Sequence, residues 1–66
     1  MNANQLNLGY QYTYCKNNVD ISFYKDGGVY FITGFIYHDN DSFAGVHESF
    51  ETFTAGKKYF NSLKNN

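Results

Sequence analysis

The sequence predicts an α+β fold, an antiparallel three- to four-stranded β-meander with one C-terminal α-helix packed on one face. The stretch 29–38 (VYFITGFIYH) is rich in β-branched and aromatic residues, which is typical of a central strand. An Asn-Asn pair at 17–18 and an Asp-Gly-Gly triplet at 26–28 provide hairpin turns before it. Apolar residues after Thr52 recur at helical spacing, which predicts the final helix.

Each element follows from a local pattern, and together they form a single small domain over 1–66. The N-terminal residues are polar and are expected to fray. Two segments that alternate between apolar and polar residues predict half-buried strands. The fourth strand is weaker because it contains Gly45 and Glu48, and Thr52 or Thr54 is expected to cap the helix. The predicted elements are a frayed N terminus at 1–7, strands at 8–15, 19–25, 29–38 and 43–50, and a helix at 53–64.

The two hairpins predict one shared apolar side of the sheet. A two-residue loop at 17–18 places Tyr12 opposite Phe23, and a slip of one residue would bring polar side chains into the apolar set. We expect the apolar stripe of the helix to pack there, with Gly34 allowing close approach. The side comprises Leu8, Tyr10, Tyr12, Tyr14, Val19, Ile21, Phe23, Tyr30, Ile32 and Ile36, and the stripe comprises Phe53, Gly56, Tyr59, Phe60 and Leu63.

The opposite side of the sheet is the predicted binding surface. One short helix covers only one side, and several uncovered rings reach the few hundred Å² at which apolar patches usually mark contacts. A four-residue loop at 39–42 would place the fourth strand's apolar residues beside those of the third. The alternative is that the fourth strand or the N terminus covers the patch. The predicted binding residues are Tyr24, Phe31, Phe35, Tyr37, Val46 and Phe50, with an acidic rim of Asp39, Asp41 and Glu48.

The acidic rim and the charge balance favour protein partners over nucleic acids. Acidic side chains can steer a basic partner, although ordinary solvated charge is the simpler explanation. The formal net charge is −1, and every basic residue is a lysine. Nucleic-acid-binding proteins usually carry arginines and a basic stripe. Nucleic acid is therefore not the expected partner.

Metal sites, cofactors and catalysis are not expected either. Cys15 is the only cysteine, and with His38 and His47 it lacks the close ligand spacing of a zinc site. A calcium loop beginning at Asp39 would require glycine where Ala44 stands. No nucleophile is paired with a base, so we expect no enzyme activity and no cofactor. The sequence also lacks a membrane-spanning run or a secretory leader, which favours the cytoplasm.

Small size makes association the expected function. A chain of 66 residues buries only about 60% of its unfolded surface, and it has no disulfide to compensate. We expect a non-catalytic protein-binding module that forms a homodimer or binds a host protein. The absence of Arg, Pro and Trp suggests an AT-rich genome, so a phage or mobile-element inhibitor of a host enzyme or defence protein is the concrete form. The alternatives are a binder of single-stranded nucleic acid or a small ligand, and a structural subunit of a larger assembly.

Overall fold

The fold is a four-stranded antiparallel sheet with a helix at each end of the chain. The computed structural model describes residues 2–65. The strands lie in chain order, so each pairs with the next, and the predicted α+β meander with a C-terminal helix is confirmed. The elements are α1 (Ala3–Asn7), β1 (Tyr12–Lys16), β2 (Val19–Asp26), β3 (Val29–Tyr37), β4 (Phe43–Phe50) and α2 (Phe53–Lys64).

Both tight turns adopt the left-handed backbone that their residues favour. Asn17 and Asn18 have φ of 53° and 68°, and Gly27 and Gly28 have φ of 58° and 82°. Two successive residues with positive φ match the right-handed twist of the flanking strands. The first turn pairs residue 12 with 23 and residue 14 with 21, as predicted. The second hairpin closes at 27–28 and keeps the same apolar side on β2 and β3.

The hydrophobic core lies on one side of the sheet, called here the inner face, which α2 covers. Phe23 is fully buried, and its ring centroid lies 5.8 Å from that of Phe53 and 5.6 Å from that of Phe60. Thr52 caps α2, its Oγ1 accepting a hydrogen bond of 3.2 Å from the Ala55 amide. The buried core residues are Leu6, Val19, Ile21, Phe23, Tyr30, Ile32 and Phe60.

The glycine that lets the helix approach the sheet is Gly56, and the role predicted for Gly34 is wrong. A Cβ at Gly56 would lie 2.8 Å from two ring carbons of Phe23. A Cβ at Gly34 would instead meet the backbone of β2, at Asp20 and Ile21. Gly34 thus allows two strands to approach, whereas Gly56 allows α2 to settle on a buried ring.

Gly56→Ala should destabilise the protein although alanine favours helix. The helical preference would add about 1 kcal/mol, but the new methyl group would press on the buried Phe23 ring, and such overpacking costs about 1–3 kcal/mol. We expect a net loss of about 1 kcal/mol in urea unfolding. In a Phe23→Leu background the obstructing ring is gone, so Gly56→Ala should become neutral or stabilising there. An equal loss in both backgrounds would contradict this explanation.

The N terminus is ordered, so the predicted fraying of 1–7 is wrong for the described residues, and Met1 lies outside them. Residues 3–7 form α1, and Leu6 is only 1% exposed within the core. The side chain of Asn2 accepts a hydrogen bond of 2.8 Å from the Asn4 amide and thereby caps the helix. The short helix is held because it places one leucine in the core, where hydrophobic burial outweighs its weak intrinsic stability.

Hydrogen bonds of two side chains, Tyr12 and Lys25, hold α1 against the sheet, and the presence of this helix delays the start of the first strand. The Tyr12 hydroxyl donates to Gln5 and accepts from the Asn2 amide at 2.9 Å. Lys25 Nζ donates to the Asn7 side chain at 2.6 Å. The chain must leave α1 before it can enter the sheet, so β1 starts at residue 12 instead of 8. Leu8 and Tyr10, predicted on the inner face, are 76% and 65% exposed.

The fourth strand pairs one residue out of step with the prediction. The β3–β4 loop spans five residues, 38–42, instead of four, and residue 37 pairs with 43. His38 N donates to the Ser42 carbonyl at 2.9 Å, and Asp39 Oδ1 accepts from the Asp41 amide at 2.8 Å. Because side chains alternate along a strand, one extra loop residue moves every β4 side chain to the other face.

Candidate functional site

The candidate site is the side of the sheet opposite the core, called here the outer face. Both helices contribute buried residues to the inner face, so the outer face carries no layer from either. The strand register assigns its residues because alternate side chains point to opposite sides. The outer-face residues are Thr13 and Cys15 on β1, Asp20, Ser22, Tyr24 and Asp26 on β2, Val29, Phe31, Thr33, Phe35 and Tyr37 on β3, and Phe43, Gly45, His47 and Ser49 on β4.

Three rings at one end of the outer face form a cluster, the aromatic trio of Phe35, Tyr37 and Phe43. Their centroids are separated by 6.3, 5.4 and 6.0 Å, within the range of favourable ring pairs. The three side chains are 43%, 42% and 60% exposed, respectively. The rings therefore contact each other and remain open to a further layer.

A second aromatic group continues the surface along the sheet. Tyr24 stacks on Phe31 with centroids 5.7 Å apart, and the His47 ring meets Phe31 edge-on at 6.3 Å. Tyr24 and Phe31 are half-buried, and His47 is exposed. Aromatic side chains thus run across β2, β3 and β4 on one face.

The structure separates the predicted site residues into three groups. Tyr24, Phe31, Phe35 and Tyr37 lie on the outer face, which is the side predicted for them. Asp39 and Asp41 lie in the loop that joins the trio's two strands. These residues remain candidates for contact with a partner.

The remaining three predicted site residues lie on the inner face, which corrects their assignment. Val46 pairs with Gly34, and Phe50 pairs with Tyr30, so both pack against the core. Glu48 is also an inner-face residue, and it does not belong to an outer acidic rim. The five-residue loop is the physical reason for all three differences.

Phe43 and His47 were missed by the sequence prediction because of the same register error. The alternation of residues within β4 nevertheless indicates the correct orientation of this strand. One alternating set carries Ala, Val, Glu and Phe, and the other carries Phe, Gly, His and Ser. The first set is the more apolar, so it is the one expected to face α2. His47 lies opposite Thr33 on the outer face.

The aspartates and the lysines of the strands lie on opposite sides of the sheet, with Glu48 on the side of the lysines. Asp20 and Asp26 occupy outer-face positions, while Lys16 and Lys25 occupy inner-face positions. Lys25 Nζ lies 5.2 Å from the Tyr30 ring centroid. The other three lysines belong to α2, which packs on the inner face. The strand positions of the outer face therefore combine aromatic rings with carboxylates and contain no lysine.

A groove of about 370 Å³ adjoins the aromatic trio at the end of the sheet near the first turn. Asp20 pairs with both Cys15 and Phe35, and so lies between β1 and the trio. Tyr37 belongs to the trio and to the groove. The lining residues are Cys15, Lys16, Asn18, Val19, Asp20 and Tyr37.

The described residues contain neither a cluster of possible metal ligands nor a membrane-crossing helix. Among residues 2–65, no three His, Cys, Asp or Glu side chains are grouped so that they could hold a metal ion. Within the same range, neither helix has the length and apolar character needed to cross a membrane.

In comparisons with protein-family models, curated proteins and solved structures, nothing matches this chain. Its function is therefore inferred from the outer face.

Proposed function

We propose that the chain is a small non-catalytic protein-binding module that docks onto a partner through its outer face. The exposed aromatic trio is the observation that supports this proposal. A large ring buries roughly 150–250 Å² when fully covered, so three half-exposed rings present on the order of 300 Å². That is comparable with the largest apolar patch on a typical monomer, and such patches are often interaction sites.

The size of the outer face supports a weak homodimer together with binding of a second protein. Four strands of five to nine residues cover on average roughly 25 Å by 19 Å, or about 500 Å². Two copies packed face to face would bury about 1,000 Å² in total, just below the usual range of about 1,200–2,000 Å². The proposed homodimer is therefore expected to exchange readily, so that a partner protein can replace the second copy.

The concrete form of the proposal is an inhibitor encoded by a phage or mobile element. Its target would be a host enzyme or defence protein in the bacterial cytoplasm, and inhibition would consist of covering a surface of that target. The support is compositional: the chain has 66 residues, lacks Pro and Trp, and carries lysine as its only strongly basic residue. Such a composition is typical of AT-rich coding sequences.

Phe35→Ser tests the docking role of the outer face. Phe35 is 43% exposed and lies outside the core, so the loss of folding stability should stay within about 1 kcal/mol. Association should weaken because one of the three rings of the trio is removed. Analytical ultracentrifugation at about 100 µM should show dimer for the original protein and monomer for the variant.

Leu8→Ser is the matched control for this experiment. Leu8 is 76% exposed and precedes β1, outside the outer face. The same apolar-to-serine change should leave self-association unaltered. A partner captured from lysate of the source cell should likewise be retained by Leu8→Ser and lost by Phe35→Ser. The proposal fails if Phe35→Ser unfolds the chain, or if both variants behave like the original protein.

A further inference from the structure

The groove beside the trio is suited to a cationic side chain. Asp20 is exposed and lines the groove, and the exposed aromatic residue Tyr37 lines it as well. A carboxylate next to a ring face is a favourable environment for an ammonium or guanidinium group, through an ion pair and a cation–π contact. The groove volume of about 370 Å³ is sufficient for one long side chain.

The charges around the groove extend this preference over the outer face. Asp26 lies at the far end of β2, and Asp39 and Asp41 lie in the loop directly after Tyr37. Lys16, which has an inner-face strand position, is the one lysine that lines the groove. A basic partner would be attracted by this face, whereas a polyanion would be repelled.

We infer that the outer face binds a basic protein segment, one of whose Lys or Arg side chains enters the groove between Asp20 and Tyr37. Apolar residues of the same segment pack on the aromatic trio. This inference rests on the proposed docking function and specifies the chemistry of the partner. Two outer faces packed together bring carboxylates to both sides of the contact, so the basic segment displaces the second copy.

Two synthetic peptides of one sequence pattern provide the probe. Each has ten residues with two leucines and four charged residues, which are lysine in one peptide and glutamate in the other. Binding is followed by amide chemical shifts of the ¹⁵N-labelled protein, with attention to residues 37, 43 and 47. The lysine peptide should bind about tenfold more tightly at low salt, and the difference should shrink at about 0.5 M salt. Ultracentrifugation should show that the lysine peptide converts dimer to a 1:1 complex.

Three charge variants then locate the interaction. Asp20→Asn should weaken binding of the lysine peptide about two- to fivefold, the range of an exposed ion pair. Lys16→Ala should strengthen it by a similar factor, because it removes a like charge from the groove. Glu51→Gln is the matched control, since it removes a carboxylate between β4 and α2 without touching the outer face. All three positions are exposed, so each variant should stay folded.

Each outcome decides the inference. Tighter binding of the lysine peptide, with opposite effects of Asp20→Asn and Lys16→Ala, supports it. Equal binding of both peptides, stronger binding of the glutamate peptide, binding of a single-stranded oligonucleotide to the outer face, or no lysine-peptide binding at about 1 mM overturns it. The proposed docking function is judged separately by Phe35→Ser, whose effect depends on apolar contact and not on charge.

Discussion

Gly34→Ala is expected to leave the chain largely unfolded at room temperature. Gly34 has φ of +148°, a conformation that costs a side-chain-bearing residue about 1–3 kcal/mol. The new Cβ would also fall on the carbonyl oxygen of Asp20 and lie 2.8 Å from the Cα of Ile21. Both atoms belong to the backbone of a paired central strand, which cannot move aside without breaking the sheet.

The expected loss is comparable with the whole stability of a chain this small. Overpacking adds about 1–3 kcal/mol to the backbone strain, giving about 2–6 kcal/mol in total. Domains are typically stable by about 5–15 kcal/mol, with the smallest at the lower end. Far-UV circular dichroism and urea titration measure the effect. A cooperative transition at the original urea midpoint would contradict the assigned role of Gly34.

Gly45→Ala is the matched control on the neighbouring strand. A Cβ at Gly45 meets nothing within 4 Å, and its φ lies outside the left-handed region. Restricting the unfolded chain should then stabilise the protein by about 0.4–1 kcal/mol. Two identical substitutions, one on each of two adjacent strands, are therefore expected to act in opposite directions.

Phe23→Ala should be the most damaging truncation of a core side chain. Phe23 is 0% exposed, and its ring meets those of Tyr30, Phe53 and Phe60 at centroid distances of 6.2, 5.8 and 5.6 Å. Removing the ring loses its burial and leaves a cavity between α2 and the sheet, which costs about 3–5 kcal/mol. Urea unfolding should show a large fall in the midpoint or no folded baseline.

Phe43→Ala makes the same truncation on the other side of the sheet. Phe43 is 60% exposed and its ring pairs with those of Phe35 and Tyr37, so its loss should cost less than about 1 kcal/mol. It should instead weaken association, as Phe35→Ser does. Equal destabilisation by Phe23→Ala and Phe43→Ala would contradict the assignment of Phe23 to the core and of Phe43 to the outer face.

The sequence was sufficient where the backbone conformation is encoded by residue type. Asn and Gly pairs tolerate two successive positive φ values, so the first two hairpins and their register could be predicted. The helix over 53–64 was predicted correctly because its apolar spacing and the Thr52 cap agree. Outer-face residues of β2 and β3 followed directly from that register.

The errors arose where local sequence leaves several geometries equally acceptable. The loop at 38–42 contains Asp, Asn and Ser but no glycine, so its length could not be read from residue type. The difference between four and five residues decided the placement of Val46, Phe50 and Glu48. The five-residue α1 is too short for a periodic signal, and it is held by the burial of Leu6 and by hydrogen bonds from Tyr12 and Lys25.

The length of the β3–β4 loop decides which side chains of the edge strand β4 lie on the outer face. Deleting one residue between Asp39 and Ser42 would turn β4 over. Val46 and Glu48 would then replace His47 and Ser49 on the outer face. Insertions or deletions in this loop could thus change which ligands the surface accepts in one evolutionary step. The same event would remove Phe50 from the layer beneath α2, so stability would decline as recognition diversified.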